Sequence, residues 1–197
     1  MSESCCNTNT SKKASNQIDH KDAIQERYGS AALEKESCLC TPVGFNPVLL
    51  EAIPQEVIER DYGCGDPTKY VQKNDIVLDL GSGSGKNAFI CAQIVGKEGK
   101  VIGVDQNPDM LCLSRSASKE FTKNIGFNNT EFLEGSIEKL DELDKDLNPL
   151  VADKSVDIIL SNCVLNLVSP ESRNNLLRNI KRVLNDNGRI AISDIVS

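Results

Sequence analysis

From Asp75 onward, short apolar runs alternate with longer segments in which apolar residues recur every three or four positions. This pattern predicts strands alternating with crossover helices. The strands are expected over 76–80, 100–105, 130–134, 156–161 and 189–194. The helices are expected over 86–95, 108–125, 137–150 (less regular) and 170–184, with Asn187-Gly188 as the stop and turn after the last one. Right-handed crossovers then give an α/β fold, a Rossmann-like doubly wound parallel sheet, with sites at the carboxyl ends of its strands.

The region before Asp75 follows a different pattern. Residues 1–17 are rich in Ser, Asn, Thr and Lys and contain almost no large apolar groups, which predicts a disordered tail. Residues 18–74 are interpreted as a helical segment with a thiol-bearing loop: one or two short helices over 18–35, a loop with a helical turn over 36–53, and a helix from Pro54 that ends at Gly63. The main domain is then expected over 75–197.

Composition narrows the function classes. The 197 residues carry a formal net charge of −7, which argues against a surface that binds nucleic acid. No apolar run approaches the roughly 18 residues that a membrane span needs. The N-terminal sequence Met-Ser-Glu-Ser-Cys-Cys lacks the apolar core of a secretory signal, so the eight cysteines are expected to be reduced thiols in a cytoplasmic protein. Small molecules are the expected partners.

A glycine-rich turn, Asp79-Leu-Gly-Ser-Gly-Ser-Gly85, closes the first predicted strand. Its glycines allow a tight turn and a close approach of a ligand to the backbone, which indicates a nucleotide-type cofactor. Lys86 occupies the position where a dinucleotide fingerprint has Gly or Ala, which argues against a dinucleotide cofactor. The phosphate-binding loop does not match either, because Leu80 stands in place of its first Gly and Asn87 in place of its Ser or Thr.

This turn resembles the first motif of S-adenosylmethionine-dependent methyltransferases of class I. The resemblance implies that Gly81, Ser82, Gly83 and Gly85 cradle the cofactor and that Asp79 faces its amino end. It implies that Asp105, followed by Gln106, accepts the ribose hydroxyls, that Ile137 and Glu138 flank the adenine, and that Asn162 lies near the transferred methyl. Two plainer interpretations stay open: Asp79 and Asp105 cap the following helices, and Glu138 is a solvated residue of a strand-to-helix turn.

Three segments together resemble arsenite methyltransferases. They are Ile53-Pro-Gln-Glu-Val-Ile-Glu-Arg-Asp-Tyr-Gly-Cys-Gly-Asp-Pro67, Leu78-Asp-Leu-Gly-Ser-Gly-Ser-Gly-Lys86 and Ser161-Asn-Cys-Val-Leu-Asn-Leu-Val168. The resemblance implies that Cys64 and Cys163 hold trivalent arsenic, with Cys38 or Cys40 as a third ligand, and that Tyr62 covers the sulfonium or packs at a helix end. It also implies arsenite as a thiol complex for substrate and a thiol reductant of the thioredoxin or glutathione type as partner.

The residue types suit that chemistry. As(III) is soft and prefers thiolates to carboxylates, and its lone pair can attack a methyl group without a general base. His20, the single histidine, is therefore interpreted as an exposed helix residue. Cys91 and Cys112 are expected in the core, and Cys5 and Cys6 as an unstructured pair. A zinc site from Cys38, Cys40, Cys64 and Cys163 is the weaker alternative, since no Cys-x-x-Cys spacing supports it.

The sequence departs from the family at its C-terminal side. Methyltransferases of this class continue past the fifth strand, and arsenite methyltransferases then carry a further arsenic-binding cysteine. The methyltransferase domain is therefore expected to be incomplete. Its fifth strand is expected to be an exposed edge of the sheet. Two other functions stay open: a metalloid-binding fragment without catalysis, and a methyltransferase for another small molecule.

Overall fold

The structure is a computed structural model that describes residues 44–61 and 65–194. Helices α1 (Pro47–Leu50) and α2 (Gln55–Glu59) and a 3₁₀ helix (Pro67–Tyr70) precede the sheet. The main domain then runs β1 (Ile76–Leu80), α3 (Lys86–Val95), β2 (Lys100–Asp105), α4 (Pro108–Ile125), β3 (Thr130–Glu134), β4 (Val156–Asn162), a 3₁₀ turn (Leu165–Leu167), α5 (Pro170–Val183) and β5 (Leu184–Ser193). The predictions for the tail over 1–17, for the helices over 18–35, for His20, Cys5 and Cys6, and for a helix end at Gly63 fall outside the described residues.

The five described strands form one parallel sheet in the order β3-β2-β1-β4-β5. The chain first builds outward from β1 to β3 and then crosses to β4 on the other side of β1. Loops that leave β1 and β4 therefore diverge at the carboxyl edge, and this is where a doubly wound sheet opens a ligand crevice. The predicted Rossmann-like α/β fold is confirmed.

Both faces of the sheet are covered, because its inner strands are apolar on both sides. On one face the helices α3 and α4 pack around Phe89 and Phe121, whose ring centroids are 4.6 Å apart, with Phe132 against Phe89 at 5.5 Å. On the other face α5 contributes Leu176 and Ile180, which belong to the same buried cluster as Leu78, Leu80 and Ile159 of the sheet. The two layers hold the carboxyl ends of β1 and β4 in fixed positions.

The segment 137–150 was expected to be an irregular helix, and this prediction is wrong. It forms turns and one isolated antiparallel bridge between Leu143 and Pro149. The Asp144 carboxylate accepts hydrogen bonds from the backbone amides of Asp146 at 2.8 Å and Asn148 at 2.9 Å. A side chain that satisfies nearby amides in this way competes with helix formation, and Pro149 limits the segment further.

The last helix and strand also differ from prediction. Helix α5 ends at Val183, and β5 begins at Leu184 rather than at position 189, so that Asn187 and Gly188 lie within the strand instead of stopping the helix. A register irregularity opposite Val156 accommodates these extra residues. The turn-forming pair Asn187-Gly188 therefore lies in an irregular, bulged strand and not in a turn.

Strand β5 pairs only with β4 within residues 44–61 and 65–194. It is therefore an edge strand of the described sheet, as the sequence predicted. The side chains of Ile190 and Ile192 in this strand are 48% and 52% exposed. No helix in the described part of the chain is long and apolar enough to cross a bilayer.

Candidate functional site

A cleft opens at the carboxyl edge of the sheet, between the loops that follow β1, β2, β3 and β4. The lining residues come from five segments that are far apart in the sequence: Arg60, Asp61, Gly81, Ser82, Gly83, Ser84, Asn87, Asp105, Gln106, Asn107, Met110, Gly135, Ser136, Ile137, Glu138, Asn162, Cys163, Val164, Leu167 and Val168. This position is the ligand crevice that the strand order predicts.

The glycine-rich turn forms the floor of the cleft. Gly81 adopts a φ of +69°, and a Cβ at this position would lie 2.6 Å from a methyl carbon of Val164. The amides of Gly81 and Ser82 both donate to the Val104 carbonyl, at 2.8 and 3.1 Å. These bonds fix the turn to the end of β2, and only glycine combines this conformation with the space available.

Asp105 ties the turn to the following loop. Its Oδ2 accepts from the Gly83 amide at 2.8 Å, and its Oδ1 accepts from the Asn107 amide at 2.8 Å. Burial raises the pKa of this carboxyl, while the amides of Asn107, Gly83 and Gln106 oppose the rise. Asn107, rather than Asp105, caps α4, through bonds to the amides of Asp109 and Met110. Asp105 thus remains on the cleft wall with both oxygens oriented.

Asp79 lies behind the turn and is 2% exposed. Its Oδ2 is buried and has no hydrogen-bond partner. Burial, followed by the negative charges of Asp61 and Asp105, raises the pKa of Asp79 to about 7. An unpartnered buried carboxylate oxygen is costly, and a cationic donor from a ligand would relieve that cost.

The loop after β3 forms the far wall of the cleft with Ile137 and Glu138. Two asparagines of α5 hold this loop from behind: the side-chain amides of Asn175 and Asn179 both donate to the Glu138 carbonyl, the latter at 3.1 Å. Asn179 is 3% exposed. The backbone at Glu138 is therefore anchored to a buried part of the fold.

Asn162 is the last residue of β4 and Cys163 follows it, and both line the cleft wall opposite Ile137 and Glu138. The Asn162 side chain donates to the Gly65 carbonyl at 2.9 Å, and the Cys163 amide donates to the Ser193 carbonyl at 2.8 Å. Cys163 adopts a φ of +57° and is disulfide-bonded, so the expectation that every cysteine is a reduced thiol is wrong for this residue. A Cβ on Gly65 would lie 1.9 Å from Ser193 Oγ, so the chain at Gly65 passes very close to the ends of β4 and β5.

A buried ion pair joins the end of α2 to the glycine turn. The Lys86 ammonium, on the first residue of α3, pairs with the Asp61 carboxylate, and their side chains are 8% and 15% exposed. The same ammonium lies 4.1 Å from the centre of the Phe45 ring. These contacts tie the segment before the sheet to the cleft floor.

Nine of the site residues predicted from the sequence line this one cleft: Gly81, Ser82, Gly83, Asp105, Gln106, Ile137, Glu138, Asn162 and Cys163. Asp79 and Gly85 are not on its surface and support the turn from behind. Tyr62, Cys64, Cys38 and Cys40 lie outside the described residues. Cys91 is fully buried and its thiol pKa is raised by burial, as expected for a core residue, whereas Cys112 is only partly buried.

The sequence interpretation missed Arg60, Asp61 and Asn87 as cleft residues. Arg60 and Asp61 immediately precede the Tyr62-Gly-Cys motif in the sequence, but no local signal indicated that they line the cleft. No cluster of three or more His, Cys, Asp or Glu side chains with metal-binding geometry occurs among the residues for which coordinates are described.

A family model for a methyltransferase domain matches residues 71–197. The arsenite methyltransferase of Aquipseudomonas alcaligenes is 36% identical over 182 residues, which cover 88% of this chain and 50% of that protein. The arsenite methyltransferase of Halobacterium salinarum is 39% identical over 200 residues, covering 89% of this chain and 47% of that protein. The crystal structure of an arsenic(III) S-adenosylmethionine methyltransferase from Chlamydomonas reinhardtii superposes with a TM-score of 0.68 at 35% identity, over 78% of this chain and 50% of that one. The chain spans about half the length of the curated relatives it matches.

Proposed function

The chain belongs to the methyltransferase-domain family, and from this premise we propose that it transfers a methyl group from S-adenosylmethionine to trivalent arsenic held by cysteine thiolates. The observation that carries the proposal is that Cys163 and the glycine turn line the same cleft. A thiol that binds the acceptor is thereby beside the residues that would hold the methyl donor.

The donor fits the residues of the cleft. Its adenine would pack against Ile137 and Glu138 on the cleft wall. Its ribose hydroxyls would donate to the oriented carboxylate of Asp105. Asp79 lies directly behind the turn, where its buried, unpartnered Oδ2 would attract a cationic amino group. Gly83 leaves the turn open to close approach, since a Cβ there would meet no atom within 4 Å. When bound, S-adenosylmethionine supplies an electrophilic methyl group on a sulfonium.

Two cysteines are proposed as the arsenic ligands, Cys64 and Cys163, with Cys38 or Cys40 as a third. The Gly65 carbonyl, one residue after Cys64, is hydrogen-bonded to the side chain of Asn162, one residue before Cys163. This contact brings together the sequence neighbours of the two cysteines, Gly65 and Asn162, at the end of β4, and so supports the proposal. Soft thiolates select As(III) over harder substrates.

The chain's own contribution to the reaction is alignment. The arsenic lone pair would become the new As–C bond, and the electron pair of the methyl–sulfur bond would stay on the sulfur of S-adenosylhomocysteine, the leaving group, so no side chain of this chain would have to remove a proton. Holding the acceptor on a fixed strand end opposite a fixed turn converts the encounter into a reaction within one complex. Apolar side chains of Val164, Leu167 and Val168 on the cleft wall limit access of water.

A thiol reductant of the thioredoxin or glutathione type is the proposed protein or small-molecule partner. Cys163 is disulfide-bonded, and a disulfide sulfur does not ligate As(III) as a thiolate does. Reduction therefore has to precede substrate binding, and arsenite is expected to arrive as a thiol complex.

The test measures binding and turnover separately with the fully reduced protein. Titration calorimetry with arsenite and with S-adenosylhomocysteine reports the two binding events, and mass spectrometry of methylated arsenicals reports turnover. We expect Cys64→Ser and Cys163→Ser to abolish arsenite binding and to retain S-adenosylhomocysteine binding. Cys112→Ser, a partly buried cysteine that does not line the cleft, is the matched control and should keep both.

Each contrary result has a definite meaning. Arsenite binding that survives both serine variants would overturn the ligand assignment. Binding of both molecules without methylated product would identify a metalloid-binding protein without catalysis. Binding of S-adenosylhomocysteine alone would identify a methyltransferase for another acceptor.

A further inference from the structure

A buried ion pair joins the glycine turn to the segment that leads into Cys64. Lys86, the first residue of α3, directly follows Gly85 of the turn, and its ammonium pairs with the carboxylate of Asp61. The two side chains are 8% and 15% exposed. A pair as buried as this adds little net stability over apolar side chains, but it favours one arrangement of the groups that it joins. Its consequence therefore lies in the arrangement that it fixes.

That arrangement is the docking of α2 on the glycine turn. The carbonyl of Val57, a fully buried residue of α2, accepts a hydrogen bond from Ser84 Oγ of the turn at 3.0 Å. Asp61 follows Val57 by four residues and makes a second contact, with Lys86 at the end of the turn. The Phe45 ring lies 4.1 Å from the same ammonium. The segment before the sheet is thus held on the turn at two successive points.

The sequence neighbours of Cys64 are anchored on both sides. Asp61 precedes Cys64 by three residues and is held by Lys86 at the glycine turn. Gly65 follows Cys64, and its carbonyl accepts the hydrogen bond from the Asn162 side chain at 2.9 Å. One anchor therefore lies at the turn that is assigned to the methyl donor. The other lies at the end of β4, next to the second proposed arsenic ligand.

We propose that Asp61 is a positioning residue for the acceptor: through Lys86 it keeps the Cys64 segment docked on the glycine turn, so that one arrangement of the chain serves both ligands. The inference rests on the proposed function for the role of Cys64 and adds the residues that couple the acceptor site to the donor site. Asp61 also lines the cleft. Without the pair, α2 can leave the turn, and each ligand then has to restore the docked arrangement. The ligand that binds first restores it for the second.

The test measures the arsenite Kd of the fully reduced full chain by calorimetry, alone and with saturating S-adenosylhomocysteine. In the wild type the pair already holds the arrangement, so S-adenosylhomocysteine should change the arsenite Kd by less than about twofold. Asp61→Asn removes a charge-assisted hydrogen bond and should weaken arsenite binding about tenfold when arsenite is the only ligand. Saturating S-adenosylhomocysteine should recover most of that loss. Linkage requires arsenite to strengthen S-adenosylhomocysteine binding to this variant by the same factor.

Further variants separate positioning from direct contact and from stability. Lys86→Met removes the pair at a residue that does not line the cleft, and it should show the same recovery by S-adenosylhomocysteine. Asp61→Asn/Lys86→Met removes both charges and gives the same measurement if Lys86→Met does not fold. Asp61→Glu keeps the carboxylate and should retain most of the arsenite affinity. Arg182→Met breaks an ion pair with Asp153 outside the cleft and is the matched control, which should change neither Kd.

Three results would overturn the positioning role. They are an unchanged arsenite Kd in Asp61→Asn, a loss that S-adenosylhomocysteine does not recover, and an equal loss in Arg182→Met. In each of these cases the wild type still binds both ligands, so the proposed function stands. A wild type that binds S-adenosylhomocysteine but not arsenite would instead overturn the proposed acceptor, and the positioning role with it.

Discussion

The side-chain amide of Asn162 donates a hydrogen bond to the backbone carbonyl of Gly65 at 2.9 Å, across 97 positions of sequence. Asn162 is 9% exposed, so this bond is sheltered from competing water. The bond connects the residue that follows Cys64 to the residue that precedes Cys163. A single side chain thereby links the two segments that carry the proposed arsenic ligands.

Asn162→Ala should weaken arsenite binding about fivefold, because a buried hydrogen bond of this kind contributes roughly 1 kcal/mol and its loss releases the Gly65 backbone. The measurement is calorimetry with arsenite on the reduced protein. Asn124→Ala is the matched control: its amide also donates to a backbone carbonyl of the preceding segment, that of Ala52 at 3.0 Å, but on the exposed surface. Equal effects of the two variants on arsenite affinity would contradict this link.

Lys86→Met should destabilise the fold by about 3–5 kcal/mol, because it leaves the Asp61 carboxylate charged in a largely buried position. Urea denaturation measures the loss. The double variant Asp61→Asn/Lys86→Met should recover part of it, since the buried negative charge is then removed together with the ammonium. Lys154→Met removes an exposed pair with Asp186 and should leave the free energy of unfolding nearly unchanged. Similar losses in the two single variants would show that burial of the Lys86 pair is unimportant.

Local signals account for the parts of the fold that the sequence predicted. Helices α3 and α4 and strands β1, β2 and β3 have the predicted bounds, because buried apolar runs and end signals such as Asn107 mark them in the chain itself. The segment 137–150 was mispredicted because one side chain, Asp144, satisfies two amides and outweighs the helical spacing. At β5, a bulged pairing with β4 overrode the turn preference of Asn187-Gly188.

The cleft residues also divide into those that local sequence signals predict and those that contacts between distant segments determine. Residues that end or directly follow strands, such as Asp105 and Cys163, could be placed there from the topology alone. Arg60, Asp61 and Asn87 could not, because their roles depend on contacts between separate segments. The Asp61–Lys86 pair joins positions 25 apart, and no periodic pattern or local motif indicates such a contact.

Gly81→Ala should abolish S-adenosylhomocysteine binding. The new Cβ would meet the Val164 side chain at 2.6 Å on the cleft wall, at a φ of +69°. Gly126→Ala is the control: that glycine also has a positive φ, +85°, but a Cβ there has no atom within 4 Å. It should lose about 1 kcal/mol of stability from the backbone alone and keep ligand binding. Retained binding in Gly81→Ala would mean that the turn can move away from Val164.

Asp79→Asn should stabilise the ligand-free protein increasingly as the pH rises. The pKa of Asp79 is about 7 in the folded state, against the ordinary 3.8 of an exposed aspartate carboxyl. Between these values the folded wild type binds more protons than the unfolded chain, so its stability falls as the pH increases from about 4 to 7 and levels off above 7. The uncharged amide avoids this loss, and its advantage should be small near pH 4 and about 4 kcal/mol at pH 8.

Urea denaturation at pH 5, 6, 7 and 8 measures this difference between Asp79→Asn and the wild type. Asp144→Asn is the control, because hydrogen bonds from the Asn148 and Asp146 amides hold the pKa of that exposed carboxyl below its usual value and give the opposite sign. Saturating S-adenosylhomocysteine should shrink the advantage of Asp79→Asn, since the ligand's ammonium stabilises the wild-type carboxylate. A difference between Asp79→Asn and wild type that is independent of pH would show that Asp79 stays ionised in the fold.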